Sequence, residues 1–249
     1  MRFAHMADLH IGKKLGPFDL LEDQRYTLMR AADIMAQKDV QAIFLAGDIY
    51  DRSVPAADAT VLADEFLTRL ADIAPVFIVP GNHDSPERLA FGRLLMRARG
   101  VTIAAPYGGK METCTLRDEY GEIAVSLLPF VRPRETEEYF ENADFDTADK
   151  AVRAIIERDP PRPGARNILV THQYVTSDFE RPVLSDSEII LAGGLSEVNV
   201  QALDGYDYVA LGHLHAAQKV GRDSVRYSGS PLKYSFSEAR HKKSLVIGE

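Results

Sequence analysis

Three short apolar runs in the first third of the chain, FAHMA at 3–7, QAIFLA at 41–46 and PVFIV at 75–79, end abruptly at Asp8, at Gly47-Asp48 and at Pro80-Gly81. Runs of that length with no polar alternation read as strands buried on both faces. Between them lie longer segments with apolar residues at helical spacing. Leu28, Ala31, Ala32 and Met35 fall within 21–37, and Val61, Leu62, Phe66, Leu67 and Leu70 within 56–72. Leu89, Phe91, Leu94, Leu95 and Met96 mark a third predicted helix over 87–99. Strand–helix alternation of this kind gives parallel βαβ units. The carboxyl ends of parallel strands lie along one sheet edge, and the loops there carry function.

The second half follows another pattern. Residues 112–116 and 123–128 flank Glu119-Tyr120-Gly121 as a predicted hairpin, and 132–149 is polar and acidic. A helix is predicted over 147–158, closed by Pro160-Pro161-Arg162-Pro163-Gly164, with a buried strand at 167–171. A polar loop over 173–194, containing the pair Gly193-Gly194, leads to a short helix near 199–203. Strands are predicted at 206–211, 217–220, 225–228 and 244–247. No internal repeat, low-complexity tract or linker interrupts the 249 residues. The expectation is one domain, 1–249, of α/β (α+β) class: a two-sheet β-sandwich flanked by helices.

Bulk properties mainly exclude. With 37 acidic against 29 basic residues, no net positive field draws the chain to nucleic acid, so any phosphate binding is local. Cys114 is the single cysteine, which rules out an intrachain disulfide and makes a reducing compartment the expectation. No apolar run approaches the ~20 residues a membrane span needs. MRFAHM leads into Asp8 without a signal-like segment, so a cytoplasmic protein is expected.

The chemistry-bearing residues cluster where the predicted strands stop: Asp8-Leu9-His10, Gly47-Asp48-Ile49-Tyr50-Asp51, Gly81-Asn82-His83-Asp84, Thr171-His172 and Gly212-His213-Leu214-His215. Singly, each is also compatible with an Asx cap, a tight turn or a hydrogen-bonded structural histidine. Together they place five of the seven histidines at strand ends, where a parallel sheet would bring them to one edge. A mixed carboxylate, imidazole and amide donor set suits Mn²⁺, Fe²⁺ or Zn²⁺ and not a thiolate site. Seven such donors are enough for two ions if one carboxylate is shared, and two ions roughly 3.5–4 Å apart can clamp a phosphate and acidify a bound water.

In this order the motifs DxH, GDxxD, GNHD, His and GHxH resemble the calcineurin-like metallophosphoesterases. The stretches MRFAHMADLHIG, GDIYDRSVP, GNHDSPERL and ALGHLHAAQKV, then VRYSGSPLKYSFSEARHKKS, resemble within that family the SbcCD-type DNA-repair nucleases. The resemblance implies the calcineurin-like metallophosphoesterase fold. It implies Asp8, His10 and His215 as ligands of a first metal, Asp48 as bridging carboxylate, and Asn82, His172 and His213 as ligands of a second. It makes His83 the group that contacts the scissile phosphate and protonates the leaving oxygen, with Asp51, or Asp84 in competition, orienting it. Arg52 matches a phosphate-binding arginine of the protein phosphatases in the family, which read GNHE where this chain has GNHD.

The same resemblance implies two Mn²⁺ ions, exonuclease action on double-stranded DNA, and endonuclease action on hairpins or single strands. It also implies an SMC-like ATPase partner (SbcC), with the capping domain and ATPase-binding segment of such nucleases absent from these residues. A small phosphoester or nucleotide substrate is the alternative, and a non-catalytic scaffold on the same fold a further one. Loss of a ligand or of the catalytic histidine would mark the scaffold, and none is lost. A homodimer is expected through Val61, Leu62 and Phe66 on one helix and Phe91, Leu94 and Leu95 on the next. Candidate phosphate contacts are Lys13, Lys14, Arg52, Arg132, Arg134, Lys242 and Lys243.

Overall fold

The computed structural model describes residues 1–178, 181–188 and 195–249. In chain order, β1 (Phe3–Met6) is followed by a small hairpin, β2 (Lys14–Leu15) and β3 (Phe18–Asp19), and by α1 (Leu21–Gln37). Next come β4 (Ala42–Ala46), α2 (Ala57–Ala71), β5 (Val76–Val79), α3 (Pro86–Leu89), α4 (Arg93–Arg97) and β6 (Val101–Ile103). The hairpin β7 (Glu112–Asp118) and β8 (Gly121–Leu128) leads through α5 (Pro133–Thr136) and α6 (Ala148–Arg158) to β9 (Arg166–His172). The rest is β10 (Tyr174–Thr176), β11 (Glu197–Asn199), β12 (Tyr208–Gly212), β13 (Gln218–Val220), β14 (Arg222–Tyr227) and β15 (Val246–Gly248).

Two sheets face each other. The first has the order β15-β1-β4-β5-β6 and the second β13-β14-β12-β9-β8-β7. β1, β4, β5 and β6 run parallel in the first, as do β14, β12, β9 and β8 in the second. Alternation along each strand feeds two layers at once. In β4, Phe44 joins Phe3, Phe77, Val125, Val170 and Ala210 between the sheets. Its neighbours Ile43 and Leu45 pack outward with Leu28, Met35, Leu62 and Phe66 of α1 and α2. On the far side, α6 covers the second sheet with Val152 and Ile155 against Leu169, Val209 and Leu211. The predicted sandwich flanked by helices is therefore present.

Several local expectations need correction. The third helix is not continuous over 87–99. Gly92 turns left-handed at φ 72° and splits it into α3 and α4. Phe91, Leu94 and Leu95 consequently stand 84%, 74% and 80% exposed. Leu62 and Phe66, by contrast, are 0% exposed and belong to the core, so neither can contribute to a dimer face. The short helix near 199–203 is a 3₁₀ turn, Val200–Leu203. β10 lies inside the predicted 173–194 loop and pairs with β11, while Gly193-Gly194 of that loop lie outside the described residues. β6, only three residues long, had no periodic signal.

The contrast between neighbouring apolar residues is measurable. Phe66→Ala should cost about 3–5 kcal/mol in denaturant unfolding, as for other buried aromatics. Leu95→Ala should stay within about 0.5 kcal/mol. Equal effects would mean that the two side chains share one environment.

Candidate metal centre

The chain leaves β1, β4 and β5 of one sheet, and β9 and β12 of the other, at the same end of the sandwich. All five polar motifs start there. Three glycines allow the strand ends to meet. A Cβ on Gly212 would lie 1.8 Å from the Ala46 carbonyl oxygen, and one on Gly47 would lie 2.3 Å from His172 Nδ1. A Cβ on Gly81 would lie 2.1 Å from Asp48 Oδ1. The ligand-bearing backbone is itself strained. Asp8, His10, Asp48 and His213 have φ of 54°, 43°, 51° and 105°. Left-handed non-glycine residues cost about 1–3 kcal/mol each and persist where the surroundings over-determine them, which happens at functional sites.

Asp48 lies at the middle. Its Oδ2 is 3.5 Å from His10 Nε2 and 3.4 Å from His172 Nε2, and its Oδ1 accepts the His83 backbone N–H at 2.9 Å. On one side, His10 Nε2 and His215 Nε2 are 3.1 Å apart, and Asp8 offers an oxygen to the same cluster. On the other, Asn82 Oδ1 lies 3.0 Å from His172 Nε2 and 2.9 Å from His213 Nδ1. Donors ~2.1 Å from one ion and at right angles to each other lie about 3 Å apart, so these spacings suit shared ions. Asp8 Oδ2 is buried without a hydrogen-bond partner, which also fits a cation. The structure thus gathers all seven predicted ligands around Asp48, with Asp8 also grouped with Asp48 and His172, and His83 with His10 and Asp48.

Backbone and side-chain bonds fix the ligand orientations. His172 Nδ1 donates to the Ala46 carbonyl at 2.8 Å, which leaves Nε2 as the free donor atom. Asp8 Oδ1 accepts the His213 backbone N–H at 2.9 Å. His215 Nδ1 bonds Glu238 Oε1 at 2.8 Å. Held hydrogen bonds on the non-ligating nitrogen set both tautomer and ring direction in metal sites.

His83 packs edge-on against His10, with ring centroids 4.8 Å apart. Its Nδ1 donates to the backbone carbonyl of Asp51 at 2.9 Å, so the orienting atom is main-chain oxygen and not a carboxylate. The Asp51 carboxylate instead takes Lys13 Nζ at 2.8 Å and lies 3.5 Å from His10 Nδ1. Burial would raise it, but bonds from His10 and Lys13 bring it down to about 2. Asp84, the competing candidate, does not orient His83. Its carboxylate accepts the amides of Ile49, Tyr50 and Gly81 at 3.1, 2.9 and 3.0 Å and clamps the Asp48 loop to the Asn82 loop.

The candidate phosphate contacts are mostly engaged with acids. Arg52 is exposed and lies 3.8 Å from Asp51. Lys14 pairs with Asp19, Arg132 with Glu135, and Arg134 with Glu137 and Asp144. Lys242 is exposed. Lys243 turns inward, donating to the His215 carbonyl, Ser230 Oγ and Glu238 Oε2, and is therefore unavailable as a surface cation.

Residues not singled out in the sequence support the site. Gln24 is buried, accepts from the Gly12 amide and donates to the Leu9 and His10 carbonyls. It occupies the apolar face of α1 one turn before Leu28, and a lone amide in that register was the available signal. Tyr234 donates its hydroxyl to the Leu9 carbonyl. Glu188 accepts the His215 backbone N–H at 2.8 Å.

Two donor sets around a shared carboxylate, at the strand ends of a two-sheet sandwich, are the construction of a metal-dependent phosphoester hydrolase. The sequence pattern of the calcineurin-like phosphoesterases matches residues 1–217, and the chain belongs to that family. Solved structures share the fold at low identity. A dimetal phosphatase from Danio rerio is 16% identical with a TM-score of 0.51, covering 91% of this chain and 86% of that one. TT1561 of Thermus thermophilus is 15% identical with a TM-score of 0.52, covering 99% and 97%. GAP50, described as the anchor in the inner membrane complex of Plasmodium, is 15% identical with a TM-score of 0.50, covering 94% and 72%. Among the described residues, no helix is long and apolar enough to cross a membrane.

The electrostatics give metal loading a definite pH dependence. Burial holds His10 down to about 4 and His213 down to about 3, so both are neutral and ready to ligate. Burial would also lower His172, but Asp48 and Asp8 overcome it and lift that imidazole to about 9. Below that pH, an entering metal must displace the His172 proton, so affinity should rise with pH. Calorimetric titration with Mn²⁺ at about pH 6, 7 and 8, in buffers of different ionisation enthalpy, should show tighter binding at each step and proton release near pH 7. Affinity flat across that range would contradict the assignment.

Proposed function

We propose that this chain is a two-metal phosphodiesterase that acts on DNA, the nuclease subunit of an SbcCD-like complex, with Mn²⁺ in both positions. The observation that carries the phosphoester chemistry is the single Asp48 oxygen placed between two donor sets, with His83 at their edge. Support for DNA over a small phosphoester comes from the nuclease-like stretch SGSPLKYSFSEARHKKS. Three of its side chains reach the centre: Tyr234 bonds the Leu9 carbonyl, Glu238 bonds His215, and Lys243 bonds the His215 carbonyl.

Bound divalent ions would supply Lewis acidity and a water acidic enough to react at neutral pH. Asp8, His10, His215 and Asp48 would hold one ion, and Asp48, Asn82, His172 and His213 the other. His83, held at Nδ1 by the Asp51 carbonyl, is the group that moves a proton to the departing oxygen. The strained, glycine-opened backbone keeps these donors in place before substrate arrives, so little reorganisation is left for the reaction itself.

Charge argues for weak duplex binding by these residues alone. With 29 basic against 37 acidic residues and most candidate cations in ion pairs, few phosphate contacts remain. Each contact adds only about 0.9 to the slope of log affinity against log salt. An SMC-like ATPase partner would supply the DNA positioning that these residues lack. The exposed face of Val61, Phe91, Leu94 and Leu95 is proposed as the homodimer contact, in place of the core residues Leu62 and Phe66. Light scattering should give twice the 27.6 kDa chain mass at high micromolar concentration, and a strict monomer would remove the dimer.

The activity test compares blunt duplex ends, hairpins and bis(p-nitrophenyl) phosphate with Mn²⁺. Wild type should cleave all three, the small diester with the least dependence on salt. Asp48→Ala should lose both ions and all turnover. His83→Ala should keep both ions and lose turnover by about 10²–10⁴-fold, the range for removing a general acid. Cleavage of phosphomonoesters but of no DNA form would favour the small-substrate enzyme.

A further inference from the structure

The family pattern ends at residue 217, yet one of the first metal's presumed ligands is gripped from beyond that point. Glu238 sits in a 3₁₀ turn, Phe236–Arg240, and is 0% exposed. Its Oε1 is 2.8 Å from His215 Nδ1 and accepts from Ser187 Oγ at 2.6 Å. Its Oε2 accepts from Lys243 Nζ at 2.6 Å and from the Tyr234 amide at 3.3 Å. Lys243 in turn donates to the His215 carbonyl at 2.9 Å. His215 is thus held at its ring by Glu238, at its carbonyl by Lys243, and at its amide by Glu188. Among the described residues, the Glu238–His215 bond is shorter than the contact any other carboxylate makes with the non-ligating nitrogen of His10 or His172. His172 has the neutral Ala46 carbonyl at 2.8 Å, and His10 Nδ1 is 3.5 Å from Asp51.

We propose that Glu238 is a positioning residue for one metal of the pair: it fixes His215 with Nδ1 protonated and Nε2 turned to Asp8 and His10, and so gives the first metal position an affinity the second does not share. A carboxylate that accepts from an imidazole both orients the ring and makes the ligating nitrogen a stronger donor. Lys243 balances the buried charge without competing for Oε1, since it binds the other oxygen. A buried carboxylate that served packing alone would not need its oxygens divided between a ligand and a counter-cation. The inference rests on the two-metal reading above and adds an asymmetry between the two positions.

The test is a Mn²⁺ titration of the full chain by calorimetry, followed by electron paramagnetic resonance. Wild type should bind two ions and, at two equivalents, give the signal of an exchange-coupled pair. Glu238→Gln keeps an acceptor for Nδ1 and removes the charge. It should weaken one site by about 10–100-fold, the usual cost of losing such a support, and leave the other unchanged. At two equivalents it should then show a mononuclear six-line signal. Glu238→Ala should lose more at the same site. Thermal melting of the metal-free proteins checks that the variants fold, and the nearly isosteric Glu238→Gln carries the test if Glu238→Ala does not. Parallel weakening of both sites in Glu238→Gln, or no weakening at all, would overturn the proposal. Failure of wild type to bind two ions is a different outcome, which removes the two-metal reading itself.

Discussion

The centre depends on how closely the ends of β4 and β12 approach. Main chain meets main chain at Ala46 and Gly212, with no room for one methyl group between them. The same Ala46 carbonyl takes the His172 Nδ1 proton. A side chain at Gly212 would push the second sheet away and carry His172, His213 and His215 with it. Every donor from the second sheet therefore faces every donor from the first because two backbones touch.

That approach concentrates charge in a dry place. Asp48 is buried, and burial alone would raise its carboxyl; the surrounding imidazoles of His172, His10 and His83 hold it ionised. Asp8 is driven the other way by desolvation, partly offset by His172 and His215. Leaving such groups unpaired in an interior costs several kcal/mol per ion. Left-handed backbone at four ligand-bearing or adjacent positions adds to that cost. The arrangement makes physical sense as a cradle for cations, and the core around it supplies the stability.

Much of this was legible in the sequence because parallel strands end where their apolar runs end. FAHMA, QAIFLA and PVFIV located β1, β4 and β5 to within about two residues, the usual disagreement at element ends. The polar residues that followed them are the ones that converge. The third helix divides because Phe91, Leu94 and Leu95 keep a helical spacing while Gly92 breaks the backbone under them. Asp51 and Asp84 were placed near His83, but their atoms could not be assigned: a main-chain carbonyl and a set of loop amides have no spacing rule. Glu238 was invisible for a related reason. Its partner His215 is 23 residues away, and no periodicity links a 3₁₀ turn to a metal ligand.

β15 closes the first sheet by pairing with β1, residue for residue from Phe3 with Gly248 to His5 with Val246. The strand that delivers Asp8 and His10 thus gains its second neighbour only from the far end of the chain. Contacts of such sequence separation form late in folding, because the long loop must close first. The donors themselves span Asp8 to His215, so no fragment shorter than that stretch presents them all. An ion that needs both donor sets then rewards only the finished fold, with a stabilisation that grows as the logarithm of its free concentration. For such an ion the meeting of the two sheets acts as a checkpoint: a chain whose β4 and β12 have not met offers it only half of its donors.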